Sequence, residues 1–200
     1  MSAPRRVRAG SSRSASSRAR PLGVEAIVDA ACRIIERDGL TGLSMRKLGS
    51  ELSADPMAVY HHVKDKRTLL ALVTARTIGT MGMPDPGVAW DAWVRQWAIR
   101  YWEVAAAHRD LILAGLSDPG IGAGGLPSTR QLIAAIAESG LPDDLVEPSA
   151  FIVVDAVHGA ALGVAVLSDG SEDRANARRV FEIGLDTILS GIASRASSVS

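Results

Sequence analysis

Apolar side chains recur at helical spacing along almost the whole chain. In the first such stretch Ile27, Ala30, Ala31, Ile34 and Ile35 share one face, which predicts an amphipathic helix over 23–38. Gly39 stands where a left-handed C-cap closes a helix, and Leu40 and Leu43 can fold back beneath it. Ser44 offers an N-cap hydroxyl to a second helix over 45–52, with Leu48 and Leu52 as its inward pair. Asp55 caps a third helix, and Pro56 at its first position gives up no hydrogen bond it could have made. Val59 and Val63, four apart, face inward. Asp65 then caps a fourth helix, with Lys66 and Arg67 in its first turn and Leu69, Leu70 and Val73 packed on the first three.

Beyond Val88 the predicted helices lengthen. Pro and Gly cluster at 83–87, 118–127 and 140–142 and divide the remainder into helix-sized pieces. Trp90, Trp93, Trp97, Ile99 and Trp102 populate a helix ending near His108, followed by helices over 111–116, 128–139, 149–168 and 174–196. The run GIGAGG at 120–125 has no strand before it, so it is no phosphate-binding loop and reads as a flexible connection. No strand-like alternation of useful length occurs. The expected fold is all-α, with a helix-turn-helix domain over 21–76 and a larger helical domain over 77–200.

Charge adds an asymmetry that the pattern does not show. The formal net charge is zero, yet through Arg76 there are fourteen Lys and Arg against seven Asp and Glu, and beyond it eight against fifteen. A basic first third on an acidic body is a footprint for a polyanion at one end. Residues 1–20 hold Arg, Ser and Ala without an apolar core, and read as a disordered basic arm, not a secretory signal. Cys32 is the single cysteine, which excludes an intrachain disulfide framework and suits a reducing compartment. The apolar run over 151–167 is broken by Asp155 and His158, so a buried helix is expected, not a membrane span. The expected location is the cytoplasm, at the nucleoid.

The third helix carries the chemistry. An α-helix fits the DNA major groove, and a short helix whose back is fixed by two valines has its front free for that purpose. Tyr60 and His62 flank that front and are placed to donate to phosphates. Lys66, at the N-terminus of the fourth helix, adds charge where free N–H groups already favour an anion. Met57 and Ala58 suit a thymine methyl, His61 can reach a base edge or phosphate, and Arg46 can grip a guanine bidentately. Adjacent histidines point about 100° apart on a helix, so His61 and His62 are not expected to chelate a metal.

The segment from Glu25 to Val73, and YHHVKDKRTLL within it above all, resembles the tetracycline-repressor family of bacterial transcription regulators. The resemblance implies that Tyr60, His62 and Lys66 hold phosphates, with Arg46, Pro56, Met57, Ala58 and His61 toward the bases. With Ser44 at the head of the second helix, these nine residues form the candidate DNA-binding set. The chain departs from the family in presenting Met57 and Ala58 where Gln, Thr or Arg is frequent, so no operator sequence carries over.

By the same resemblance the body binds a ligand and dimerises. From the residues alone, Ala156, Gly159, Ala160 and Gly163, with Phe181, Gly184, Leu185 and Ile188, offer close-packing surfaces for a two-fold homodimer. Trp93, Trp97, His108, Asp155 and His158 are candidates for lining a pocket. Asp155 and His158 sit in an otherwise apolar helix, where unpaired charge is costly, so they pair with each other, face a cavity or lie at the dimer seam. No nucleophile, metal cluster or cofactor loop is placed among them, so no enzyme, metal or cofactor is expected. The sequence thus points to a one-component regulator, most simply a repressor. It would bind a palindromic operator in double-stranded DNA as a homodimer and be released by a small-molecule effector, without membrane attachment.

Overall fold

The computed structural model describes residues 22–167 and 171–198; the basic arm expected over 1–20 lies outside them. The described residues are helical, in ten α-helices: α1 Val24–Asp38, α2 Met45–Glu51, α3 Pro56–Tyr60, α4 Lys66–Gly79, α5 Trp90–Ala107, α6 Arg109–Ser117, α7 Pro119–Gly122, α8 Leu126–Ala137, α9 Asp143–Leu167 and α10 Ser171–Ser197.

The start signals act as expected. The Ser44 hydroxyl accepts from the Lys47 N–H at 3.2 Å, the Asp55 carboxylate from the Met57 N–H at 2.7 Å, and the Asp65 carboxylate from the Thr68 N–H at 2.7 Å. Each cap satisfies a donor that the first turn leaves free and is worth about 1 kcal/mol. Gly39 ends α1 at φ +70°, its N–H bonded to the Ile35 carbonyl at 2.9 Å.

Two apolar cores result. The first gathers Ile27, Ile34, Leu43, Leu48, Val59, Val63, Leu69 and Val73 from α1 to α4, and takes in Leu111 of α6 and Ile121 of α7. The second joins Val94, Trp97 and Trp102 of α5 to Leu132 and Ile136 of α8, Val153 and Val157 of α9, and Phe181 and Leu185 of α10, with Ile78 from the end of α4. Each such side chain contributes roughly 1.5–3 kcal/mol by leaving water. α4 therefore belongs to both cores and ties them together.

Three expectations need correction. The GIGAGG segment is no flexible connection: it forms α7 and a 3-10 turn, Ala123–Gly125, packed on α4. A Cβ on Gly124 would stand 2.2 Å from the Ala71 carbonyl oxygen, and one on Gly120 would overlap the Arg67 guanidinium. These glycines allow backbone-to-helix contact, not mobility. α9 begins at Asp143, six residues earlier than expected, with Pro148 as its sixth residue; lacking an N–H, Pro148 leaves the Asp144 carbonyl without its i→i−4 partner. Regular helix in α3 ends at Tyr60, although the Val63 N–H still reaches the Val59 carbonyl at 3.0 Å.

The stretch 143–163 of α9 is long and apolar enough to cross a bilayer by length and composition alone. It is packed against α5, α8 and α10, and Ala150, Val153, Val157 and Ala161 are buried there.

Candidate functional site

α2 and α3 pack on each other through a tight turn. Ser53 in that turn holds φ +51°, a left-handed conformation that a non-glycine residue adopts at a cost. A Cβ on Gly49 would lie 2.9 Å from the Ala54 carbonyl oxygen, so only glycine lets α2 sit this close to the turn. Val59 and Val63 are fully buried. They turn the opposite side of α3 outward: Met57 is 64% exposed, Tyr60, His61 and His62 are exposed, and Pro56 and Ala58 are half-buried.

The cations around α3 divide by partner. Lys47 pairs with Asp38 at 2.8 Å, while Arg37 and Arg33 reach Glu51 at 3.3 and 3.6 Å, which pins α1 to α2. The Lys47 hydrogen bond, ahead of the Arg37 contact, holds the Asp38 carboxyl below its ordinary range. The Lys66 ammonium donates to the Leu43 carbonyl at 2.7 Å. That bond draws the start of α4 to the start of α2 and leaves the ammonium two further protons to donate. Arg46 and Lys64 are exposed, and among the described residues neither side chain has a hydrogen-bond or ion partner. Lys64 is not among the sequence-derived candidates; its open position beyond the end of α3 is visible only in three dimensions. The Ser44 hydroxyl is engaged as the α2 cap.

The five pocket candidates do not converge. His158 of α9 accepts or donates at 2.7 Å to the Tyr101 hydroxyl of α5, with the rings edge to face. Together they border a cavity of about 90 Å³ whose other walls include Thr74, Ile78, Ile112, Leu116, Gly122 and Gly125. Trp97 is fully buried; its indole N–H donates to the Ser128 hydroxyl at 2.9 Å and its ring lies 5.0 Å from that of Tyr101. It supports the cavity from behind. Trp93 is half-buried against the second core. His108, at the α5–α6 junction, lines a different groove of about 360 Å³ between α1 and α4, beside Asp29, Cys32 and Arg76. Asp155 is exposed and does not line the Tyr101–His158 cavity.

Burial lowers the His158 pKa below its ordinary value, against a smaller opposing pull from Asp155. Burial pushes the Tyr101 phenol up to about 12. Both rings are therefore neutral near pH 7. Tyr101 was absent from the sequence-derived candidates; its signal was its position four residues after Trp97, which places both on one face.

On the outer faces of α9 and α10, Phe151, Ile152, Val180 and Ile183 are exposed. A hollow of about 410 Å³ there is lined by Ala156, Ala160, Gly163, Val180 and Gly184 among others. Of the residues expected to offer a dimer surface, Phe181 and Leu185 turn inward to the second core, and Val180 and Ile183 take the outward positions.

Residues 27–73 match the family described as bacterial regulatory proteins, tetR family. The chain is 32% identical over 146 residues to the HTH-type transcriptional repressor DrrR1 of Streptomyces coeruleorubidus, covering 70% of this chain and 53% of that protein. It spans about half the length of the curated relatives it matches. Among solved structures, the tetR-family protein ActR of Streptomyces coelicolor in complex with (S)-DNPA superposes with a TM-score of 0.70 at 26% identity, over 88% of this chain and 100% of that one. BioQ with its double-stranded DNA operator gives 0.68 at 25% identity, over 86% and 99%. The helix-turn-helix match over α1 to α4, the all-helical body behind it and these likenesses agree: the chain belongs to the tetR family of bacterial regulatory proteins.

Proposed function

We propose that the protein is a one-component transcriptional repressor that binds a palindromic operator as a homodimer and is released by a small molecule. The observation that carries this reading is the outward face of α3. It has a fixed apolar back, exposed Met57, Tyr60, His61 and His62 at its front, and on the adjoining α2 an exposed Arg46 whose side chain has no partner among the described residues. In this reading Tyr60, His62 and Lys66 hold phosphates, and Arg46, Met57, Ala58 and His61 meet base edges, with Ser44 and Pro56 fixing the helix starts. BioQ is known with an operator and ActR with a small molecule; both properties are proposed here for this chain, with a cytoplasmic location at the nucleoid.

The exposed apolar strip on α9 and α10 supports the homodimer, since a two-fold axis buries the same patch on both copies. The two cores support a division into a DNA-binding domain over 21–76 and a sensing domain over 77–200, with Leu111 and Ile121 of the second part completing the core of the first.

Selection of genomic DNA fragments by the purified protein tests the reading. Enrichment of a palindrome at low protein concentration is expected, and no enrichment over random fragments at moderate salt overturns it. On the enriched operator, Arg46→Ala is expected to cost about 1–3 kcal/mol; unchanged affinity and unchanged base preference would remove Arg46 from base reading.

A further inference from the structure

The head that presents α3 is nearly neutral. Over residues 22–76, eight Lys and Arg stand against seven Asp and Glu. Five of those eight cations are held by carboxylates of the same chain: Arg33 and Arg37 by Glu51, Lys47 by Asp38, Arg67 by Asp118 and Arg76 by Asp29. Arg46, Lys64 and Lys66 remain to face a polyanion. Asp65, which caps α4, stands between Lys64 and Lys66 in the chain and offsets part of their charge. The body is placed worse still, with eight Lys and Arg against fifteen Asp and Glu beyond Arg76. A surface of that sign repels the phosphates that α3 has to approach.

The missing cations lie ahead of α1. Residues 1–20 hold Arg5, Arg6, Arg8, Arg13, Arg18 and Arg20 and no Asp or Glu. Without these six the chain would carry sixteen Lys and Arg against twenty-two Asp and Glu, in place of twenty-two of each. Leu22, two residues after Arg20, packs on the first core, so this segment joins the chain at the head and not at the acidic body. Twenty residues reach at most about 70 Å, or about two turns of duplex at roughly 34 Å each.

We propose that the six arginines of residues 1–20 grip the phosphate backbone of the DNA that α3 reads, and that they supply most of the protein's sequence-independent affinity. The proposal rests on the reading of α3 as a DNA-contacting helix and assigns the electrostatic share of that contact to a different part of the chain. Duplex DNA carries one negative charge per about 1.7 Å and releases its counterions when cations neutralise it. Phosphate contacts of this kind hold and position a protein without selecting sequence. The acidic body is the competing partner for the arginines. There Glu103 and Glu182 are already paired with Arg178, and Asp186 with Arg95, which leaves the duplex the denser anion.

The full chain combining Arg5→Gln, Arg6→Gln, Arg8→Gln, Arg13→Gln, Arg18→Gln and Arg20→Gln tests this. Its affinity and that of the unaltered chain are measured between about 50 and about 200 mM salt on two duplexes of equal length, the selected operator and a random sequence. Each lost phosphate contact reduces the steepness of log K against log salt by about 0.9, so a reduction of about 3–5 per chain is expected. It should be equal on both duplexes, with base preference and melting temperature unchanged. The corresponding chain with six Arg→Lys changes is expected to keep the original slope, because this grip needs charge and not a planar fork. A slope altered by less than about 0.9, a loss confined to the operator, or a Lys chain that behaves like the Gln chain overturns the proposal. Tighter binding by the Gln chain also overturns it and places the arginines on the acidic body. The random duplex carries the test even where fragment selection enriches no palindrome, so the two failures are distinguishable.

Discussion

Ser53 shows how much a single backbone conformation can weigh in a turn of this size. A left-handed conformation costs an L-residue roughly 1–2 kcal/mol, and a β-branched side chain suffers most at the φ of +51° found there. Ser53→Val is expected to lower stability by about 1–2 kcal/mol in urea unfolding. Ser53→Gly is expected to leave it unchanged or slightly higher, because glycine's extra freedom in the unfolded chain offsets part of the gain. Similar losses from both variants would show that the hydroxyl, not the backbone, matters. His158 acts through pH. Its folded-state pKa is lowered by burial from 6.5, so the unfolded chain takes up the proton first as pH falls. The contribution is complete above the unfolded value and is lost as pH falls below it toward the folded value. Between about pH 7.5 and about pH 5.5 the wild-type melting temperature should therefore drop more steeply than that of His158→Gln; parallel curves would count against a buried neutral imidazole.

Among the elements, α7 and its 3-10 turn have the most exacting fit. Gly124 sits where a methyl group would meet the Ala71 carbonyl oxygen at 2.2 Å, so Gly124→Ala must push the segment off α4. A loss of about 1–3 kcal/mol is expected in thermal unfolding, with weaker operator binding because α4 leads directly from α3. An unchanged melting temperature would mean that the segment relaxes freely. The adjacent Arg67–Asp118 bridge, at 2.7 Å, is exposed on both sides, and such pairs contribute at most about 1 kcal/mol. Ser44, Asp55 and Asp65 could be read as caps because a cap is decided within three residues, and the stripe of α1 because one helix face is decided within fifteen. GIGAGG could not: its glycines answer to α4, some fifty residues away in the chain, and composition alone reads as looseness. The Tyr101–His158 pair was hidden for the same reason, each partner being plain only beside the other.

For the whole molecule, charge and apolar surface are separated. Of the excess of seven Arg and Lys over Asp and Glu through Arg76, six are the arginines of residues 1–20, so α1 to α4 themselves are close to neutral; operator affinity is expected to fall with salt, log K declining linearly with log salt. The other end presents Val180 and Ile183 to solvent. Ile183→Glu is expected to yield monomers in sedimentation equilibrium and to lose most operator affinity, since one head contacts one half-site; a dimeric Ile183→Glu protein would place the seam elsewhere. The two cores also exchange members: Leu111 and Ile121 of α6 and α7 complete the core of α1 to α4. The head is thus not a portable cassette. A chimera that grafts α1 to α4 alone onto a foreign sensor would carry two empty sockets in its core, so recombination within such regulators should succeed where α6 and α7 travel with the head they complete.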